Sequence, residues 1–285
     1  MDKTVLIVSD LQAPFHNKTA LENLLAFTKD FKPDVLVNVG DDLDAPEISQ
    51  WHKGAAGEYA GTLQLSLDLV ATVHKRFREA IGDHPYHLSR SNHGDRLRKY
   101  IGQYAPALSG LRSLDLAELA GYKSAGIEYH KSPFEIAPGW VACHGDEGSL
   151  SKIAGRTAGL LAETWQTSVV CGHTHRAGLS PTSHGYGGAV HSTVWGMEVG
   201  HLMDVSQAGY LKGGSCNWQS AFGILHVSGD RVHPELIPIQ PDGSFCYAGL
   251  WYPRKTHAGR FVAAMDRIAG QQDDSEAFYP VAVMV

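Results

Sequence analysis

Short apolar runs that stop at Asp, Asn or His alternate with longer stretches of helical period over the first 175 residues. The runs "TVLIVSD" (4–10), "DVLVNVGD" (34–41), "PYHLSRSN" (85–92), "WVACHGD" (140–146) and "SVVCGHTH" (168–175) are β-branched, short and bounded by turn residues, which predicts strands. Between them, residues 18–31 place Leu21, Leu24, Leu25 and Thr28 on one helical face, and residues 62–81 do the same with Leu63, Leu67, Val70, Phe77 and Ile81. "LQLSLDL" also alternates like a strand, but the length of the apolar stripe decides for helix. Helices are also predicted over 94–101, 113–120 and 150–165. Strand–helix alternation of this kind predicts an α/β fold. From about residue 177 the texture changes. "RAGLSPTSHGYGGAVHS" reads as a Gly/Ser/His-rich loop, and "AFGILHVSGDRVHPELIPIQPDGSFCYAG" as a hairpin plus one more strand, turning at "SGD" and "PDG". No repeat or linker divides the chain, so a single domain over 1–260 and a tail over 261–285 are expected.

Composition narrows the function classes. The 285 residues carry a net charge of −6, which gives no general pull toward nucleic acid or an anionic membrane. The first residues lack an apolar signal segment, and no run approaches a membrane span, so a cytoplasmic protein is expected. The four cysteines form no C-x-x-C pair, which argues against a zinc ribbon or a dithiol redox motif. Cys143 and Cys171 end strands beside polar turns and are expected to pack as small apolar side chains.

The chemistry collects where strands end. Asp10 closes the first, "GDDLD" (40–44) the second, "SNHGD" (91–95) the third, and "CHGD" (143–146) and "CGHTH" (171–175) two later ones. In α/β sheets ligands bind at the carboxyl ends of strands. Carboxylates, imidazoles and an amide gathered there suit divalent cations, because a carboxylate can bridge two ions while neutral donors fill the remaining positions. Each motif alone is a common turn or a surface histidine. The ordered set of five is what carries the inference.

That order, D-x-(H)…G-D-x-x-D…N-H…H…G-H-x-H over residues 4–176, resembles the calcineurin-like metallophosphoesterases. "SDLQAPFH", "NHGDRLRKY" and "NWQSAFGILHV" further resemble phage and prophage members of that family. The resemblance implies a four-layer α/β/β/α sandwich of two mixed sheets, with a dinuclear metal site at the C-terminal strand edge. It implies a first metal on Asp10, Gln12, Asp41 and His175, and a second on Asp41, Asn92, His144 and His173. It also implies His93 beside the leaving group, with Asp44 behind the ligands. This sequence departs from the pattern in three places. Gln12 stands where a His is usual, Ser91 where a Gly is usual, and Gly94 delays the acidic Asp95, which is expected to reach back and orient His93.

The implied activity is phosphoester hydrolysis by a metal-bound hydroxide, with two divalent cations as cofactors. An amide in place of an imidazole favours manganese, with magnesium, iron and zinc as the other candidates. The expected substrate is a small or nucleotide-like phosphodiester, such as a 2′,3′-cyclic nucleotide or an RNA end. Arg96 and Arg176, each directly after a motif residue, are expected to bind the phosphate. In the following loop His184, His191 and His201, with Tyr186 and Trp195, are candidate pocket residues. The alternatives are a nuclease using the basic clusters "KRFR" and "RLRK", a phosphomonoesterase or protein phosphatase, and a scaffold weakened in catalysis.

Overall fold

Strand β1 (Asp2–Val8) is apolar on both sides from Val5 onward, because both sides are covered there. In the computed structural model, which describes residues 2–49, 61–208 and 216–253, β1 lies inside a six-stranded sheet of order β11-β10-β1-β2-β3-β4. Its partners are β2 (Val35–Asn38), β3 (Tyr86–Ser89) and β4 (Glu128–His130), all parallel, and the antiparallel β10 (Ala221–Ser228) and β11 (Arg231–Pro238). The second sheet has five strands in the order β5-β6-β7-β9-β8. Here β6 (Trp140–Ala142), β7 (Ser168–Cys171) and β9 (Ala189–Val199) run parallel, flanked by the antiparallel β5 (Phe134–Ala137) and β8 (Ala177–Tyr186). The architecture is mixed α/β with two mixed sheets.

Period-2 alternation divides the strand residues between two cores. Val5, Ile7, Val37 and Val39 of the first sheet pack with Ala142, Val170, Met197 and Val199 of the second. Leu6, Val8, Leu36 and Leu88 point the other way, onto α1 (Lys18–Phe31) and α2 (Leu63–Ile81). Each helix starts at a side-chain cap: Asn17 accepts from the Ala20 N–H and Thr62 from the Leu65 N–H. On the far side of the second sheet, Ala158, Leu161 and Ala162 of α5 (Arg156–Trp165) pack on Val169, Cys171 and Val194. Cys143 and Cys171 are buried in this cluster, and burial pushes both thiols up, so they remain neutral apolar fillers. A two-stranded ribbon, β12 (Phe245–Tyr247) with β13 (Leu250–Tyr252), closes over α1.

The close seat of α5 depends on glycine. A Cβ on Gly196 would fall 2.0 Å from the Gly159 nitrogen, so helix and strand meet backbone to backbone.

Several expectations are corrected. The segment 177–192 is no loop but most of a long hairpin, β8 turning into β9 through Gly187 and Gly188, both at positive φ. That is the two-residue turn that matches strand twist. The hairpin escapes a hydrophobicity reading because its outer positions are Ser, Thr, His and Gly with little apolar contrast. Its tip lies at the opposite end of the sheet from the last residue of β7, since β9 runs parallel to β7 and only Gly196–Glu198 pair with it. Tyr186 and His191 stack on each other at that tip, 4.6 Å apart, and Trp195 packs beside the inter-sheet core, so these three line no pocket at the strand ends. The predicted strands also end earlier than read, at Val8, Ser89, Ala142 and Cys171, because the motif residues form tight turns. Helix 150–165 shortens to Arg156–Trp165. The reading over 113–120 reduces to a 3-10 turn and the short α4 (Leu116–Leu119), and that over 94–101 becomes α3 (Arg96–Tyr104). The expected tail over 261–285 lies outside the described residues.

Phe27 touches five rings, those of Phe31, Phe222, Phe245, Tyr247 and Tyr252, at centroid separations of 4.9–5.7 Å. Phe27→Ala should cost about 3–5 kcal/mol, the range for truncating a buried aromatic. Urea unfolding followed by Trp fluorescence measures it, and a loss under about 1 kcal/mol would show that the ribbon does not anchor on α1.

Candidate metal centre

Five turns at the carboxyl ends of β1, β2, β3, β6 and β7 meet. The turns after β1 and β2 run side by side, held by Asp10 N to Gly40 O (3.0 Å), Gln12 N to Asp41 O (2.9 Å) and Ala13 N to Asp42 O (2.9 Å). The turn after β7 joins the one after β6 through Gly172 N to His144 O (2.9 Å), and joins Asp10 through His173 N to Asp10 Oδ2 (2.9 Å). Gly172 is needed there, because a Cβ would fall 1.7 Å from Ser9 Oγ.

Asp10, Gln12, Asp41, His173 and His175 all take left-handed backbone, with φ between 49° and 66°. Each such residue stores strain of roughly 1–3 kcal/mol unless its surroundings hold it. Among the nine non-glycine residues of this kind in the described chain, these five share one place. Asp10 and Gln12 therefore do not lie in an extended segment. Their side chains converge through turn geometry.

Asp41 stands at the middle. Its Oδ2 accepts from Gln12 Nε2 (3.1 Å) and lies 3.4 Å from His144 Nε2 and 3.8 Å from His93 Nε2, while Oδ1 accepts the His93 N–H (3.2 Å). His144 Nδ1 faces the Val39 carbonyl at 2.9 Å and so carries a proton, leaving Nε2 to the site. That Nε2 is 2.8 Å from Asn92 Oδ1 and 3.2 Å from His173 Nδ1. On the other side His175 Nε2 is 3.1 Å from Asp10 Oδ1 and 3.3 Å from Gln12 Nε2. The ring of His175 leans on Trp218 (4.4 Å) and His201 (5.3 Å). His201, a candidate pocket residue by sequence, thus stands beside a ligand, whereas Trp218 carries no motif that would single it out. Gln219, next to Trp218, ties the two segments together: its N–H donates to the His175 carbonyl and its carbonyl accepts the His201 N–H.

The donor set fits a cation. The ligand atoms of Asp41, His144 and His173 lie within 4.8 Å of one another, the buried Gln12 Oε1 has no hydrogen-bond partner, and the buried Asp10 Oδ1 faces the His175 ring nitrogen. Electrostatics agree. Burial alone would raise both carboxyls, but His175 beside Asp10, and His144 and His93 beside Asp41, hold them below the usual carboxylate range, Asp41 far below. Burial would lower His144, yet Asp41, Asp10 and the Val39 carbonyl drive it up to about 10, whereas burial and His144 itself push His173 down. A buried imidazole held protonated at that level marks a place that needs positive charge.

The remaining predicted residues fall differently. His93 Nδ1 lies 2.9 Å from Asp44 Oδ1, so Asp44 is the carboxylate beside this ring. Asp95 does not reach it: its carboxylate is held by Arg90 (3.1 Å) and Arg98 (3.4 Å), because Gly94 turns the chain into α3 and points Asp95 away. Arg96 is occupied within the site, bonding the Asp44 carbonyl and carboxylate and placing Nη2 2.9 Å from His93 Nε2. Arg176 bonds the Thr174 carbonyl (3.3 Å) and keeps a buried Nε without a hydrogen-bond partner.

The fold and site define a mixed α/β protein with a buried carboxylate–imidazole cluster able to hold a cation. No family model matches the chain. It is 36% identical to the Gene 54 protein of Mycobacterium phage D29 over 242 residues, covering 84% of this chain and 94% of that protein. It is likewise 36% identical to the Gene 54 protein of Mycobacterium phage L5 over 245 residues, again 84% and 94% of the two chains. The chain belongs to the family of these mycobacteriophage Gene 54 proteins. Among solved structures it resembles Vps29 from Cryptosporidium parvum (11% identity, 88% of this chain and 94% of that one, TM-score 0.43). It also resembles the zinc complex of wild-type Vps29 from Entamoeba histolytica (10%, 87% and 95%, TM-score 0.40). No helix among the described residues is long and apolar enough to cross a membrane.

The pKa directions fix a pH dependence for the metal-free protein. His144 has a folded value of about 10 against 6.5 for an ordinary histidine, so its contribution to stability is complete below pH 6.5 and is lost as pH rises toward 10. Asp10 and Asp41 act oppositely: their contribution is present above pH 3.8 and lost in acid. In EDTA the melting temperature should therefore fall between pH 6.5 and 10, and His144→Gln should flatten that slope. Parallel profiles for the two proteins would show that His144 is not the proton-binding group.

Proposed function

We propose that this chain is a metal-dependent phosphoester hydrolase of the calcineurin-like type, acting on small or nucleotide-like phosphodiesters in the cytoplasm of the infected or lysogenic host. On this reading the described layers are the four-layer sandwich of that family, with residues 1–260 as one domain. The observation that carries the reading is the convergence of donors from five strand ends onto Asp41. One cation would be held by Asp41, Asn92, His144 and His173, and a second by Asp10, Asp41, His175 and Gln12. Bound there, the cations supply Lewis acidity to the phosphoryl oxygens and an acidified water as nucleophile.

The chain's own residues do the rest. Asp44 faces His93 Nδ1, which leaves Nε2 as the atom that exchanges a proton with the leaving oxygen. Arg96 contacts that Nε2 through one arm while its other arm stays on Asp44, so the first arm is placed to transfer to a phosphoryl oxygen as substrate enters. Beside this rim a cavity of about 470 Å³ opens between α3 and the chain at 109–116. Arg90, Arg98, Arg112 and Lys131 line it with the carboxylates Asp95 and Asp115 and the apolar Leu97, a net-basic mixture that suits a phosphorylated group carrying an apolar part. The overall charge of −6 disfavours long duplexes as substrate.

The direct test is an EDTA-stripped preparation reconstituted with Mn²⁺ and assayed on bis-p-nitrophenyl phosphate and 2′,3′-cyclic nucleotides. Turnover that needs the metal is expected, and its absence on every mono- and diester would overturn the reading. In the reconstituted protein His93→Ala should lower diester kcat by roughly 10²–10⁴-fold at unchanged metal content. Wild-type turnover in that variant would remove His93 from the chemistry.

A second reading has one observation behind it. The Gln12 amide nitrogen donates to Asp41 and sits 3.3 Å from His175 Nε2, so the side chain can stand in for a cation on that side. Turned over, the same amide offers Oε1 as a neutral oxygen ligand, weaker and harder than imidazole. Either way the Asp10–His175 side should bind metal less tightly than the Asn92–His144 side. Gln12→His is expected to tighten the weaker site and extend activity from manganese toward zinc. Unchanged affinities and an unchanged metal profile in calorimetric titration would place Gln12 outside the centre.

A further inference from the structure

A second cluster of metal-type donors lies away from Asp41, on the β3–β4 edge of the six-stranded sheet. The parallel register sets His87 opposite Glu128 and Ser89 opposite His130. Tyr86 and Leu88 of β3 are buried in the core that holds α1 and α2, so by alternation His87 points to the other face. His130 is stacked on the Phe134 ring at 3.6 Å with an interplanar angle of 10°, which fixes its plane. His87 Nδ1 is 3.0 Å from His130 Nε2 and 3.3 Å from Glu128 Oε2, and His130 Nε2 is 3.7 Å from Glu128 Oε1. No contact joins this group to the ligands around Asp41 among the described residues.

These separations carry a specific meaning. Four ligands held tetrahedrally about zinc at about 2.0–2.1 Å are about 3.3 Å from one another. The His87–His130 nitrogen separation of 3.0 Å lies near that edge length, and Glu128 meets His87 with Oε2 (3.3 Å) and His130 with Oε1 (3.7 Å), so a small turn of this exposed carboxylate brings one oxygen to both rings. The two half-buried imidazoles have side-chain exposures of 21% and 18%, and the Glu128 carboxylate closes over them from the solvent side at 68%. A regular parallel ladder supplies two of the donors from β4 and one from β3, so little rearrangement is needed to bring all three to one point.

We propose that His87 Nδ1, His130 Nε2 and Glu128 form a separate site for a zinc-type divalent cation, with three protein ligands and a fourth position open to water. Two nitrogens and one carboxylate oxygen suit zinc or cobalt over magnesium or calcium, which take oxygen ligands. Burial pushes both histidines down, so near neutral pH both are uncharged and can offer lone pairs. Filling the site clamps the three-residue β4 to β3, just before the chain continues to Asn92 and His93. The site neither needs nor supplies the phosphoester chemistry.

The test is stoichiometry. Protein stripped with EDTA is titrated with Zn²⁺ by equilibrium dialysis and with Co²⁺ by visible absorption, for wild type, His87→Ala, His130→Ala and Glu128→Gln. Each histidine variant should lose one zinc equivalent and the matching tetrahedral cobalt band while keeping the ions bound around Asp41. Glu128→Gln should bind that equivalent roughly tenfold or more weakly, because a carboxylate ligand is lost. A folded histidine variant, checked by circular dichroism, that binds as many zinc ions as tightly as wild type overturns the site. Should both histidine variants fail to fold, the exposed Glu128→Gln change decides, and an unaltered isotherm overturns the proposal.

Discussion

Two carboxylates, Asp10 and Asp41, are buried in one place, and the architecture around them supplies what that burial demands. An isolated buried carboxylate would protonate rather than stay charged. Here His144, His93 and His175 keep both ionised, and the proton on His144 stands among the donors where a cation fits. The same constraint accounts for the backbone. Side chains can meet at Asp41 from five turns only if several turns bend sharply, which is why three of them place five Asp, Gln or His residues in left-handed conformation. Asp and His tolerate that region better than branched residues do.

Strain of this kind persists only on a firm support, and the two sheets provide it. β1 from Val5 onward, β2, β7 and the Val194–Val199 part of β9 lie between the inter-sheet core and the helices, so their ends are fixed in space. Local devices add to this. Glu147 accepts the His144 and Gly145 N–H groups and holds the turn after β6, while the buried Glu198 accepts from Gly155 and Thr157 at the start of α5. The site is thus assembled by strands that carry none of its chemistry.

How much of this could be read in the sequence follows from the same division. Strands covered on both faces leave continuous apolar runs, and β1, β2 and β7 were legible for that reason. The motif residues were legible as a set, because each such turn is common alone but five of them recur in order at successive strand ends. Asp44 and Asp95 show the limit. Both lie within three residues of a motif position, and which carboxylate faces His93 is set by how Gly94 leads into α3, a matter of φ and ψ that composition does not encode. The β8–β9 hairpin was missed because its pairing is held by backbone bonds between small polar residues, with Gly187–Gly188 as its one local signal. The short strands β4 and β5 gave no periodicity to read, so the grouping of His87 with Glu128 and His130 emerged only from pairing register.

The backbone-to-backbone seat of α5 on β9 has an evolutionary side. Most helix–sheet contacts drift, since one side chain can shrink while its neighbour grows. Where a Cβ on Gly196 would strike the Gly159 nitrogen at 2.0 Å, no such exchange exists, because the smallest possible step already displaces the helix. Any lineage that keeps this helix in place must keep glycine at position 196. The seam therefore behaves as an all-or-none character, a marker by which distant relatives of this chain can be sorted when the rest of the sequence has diverged.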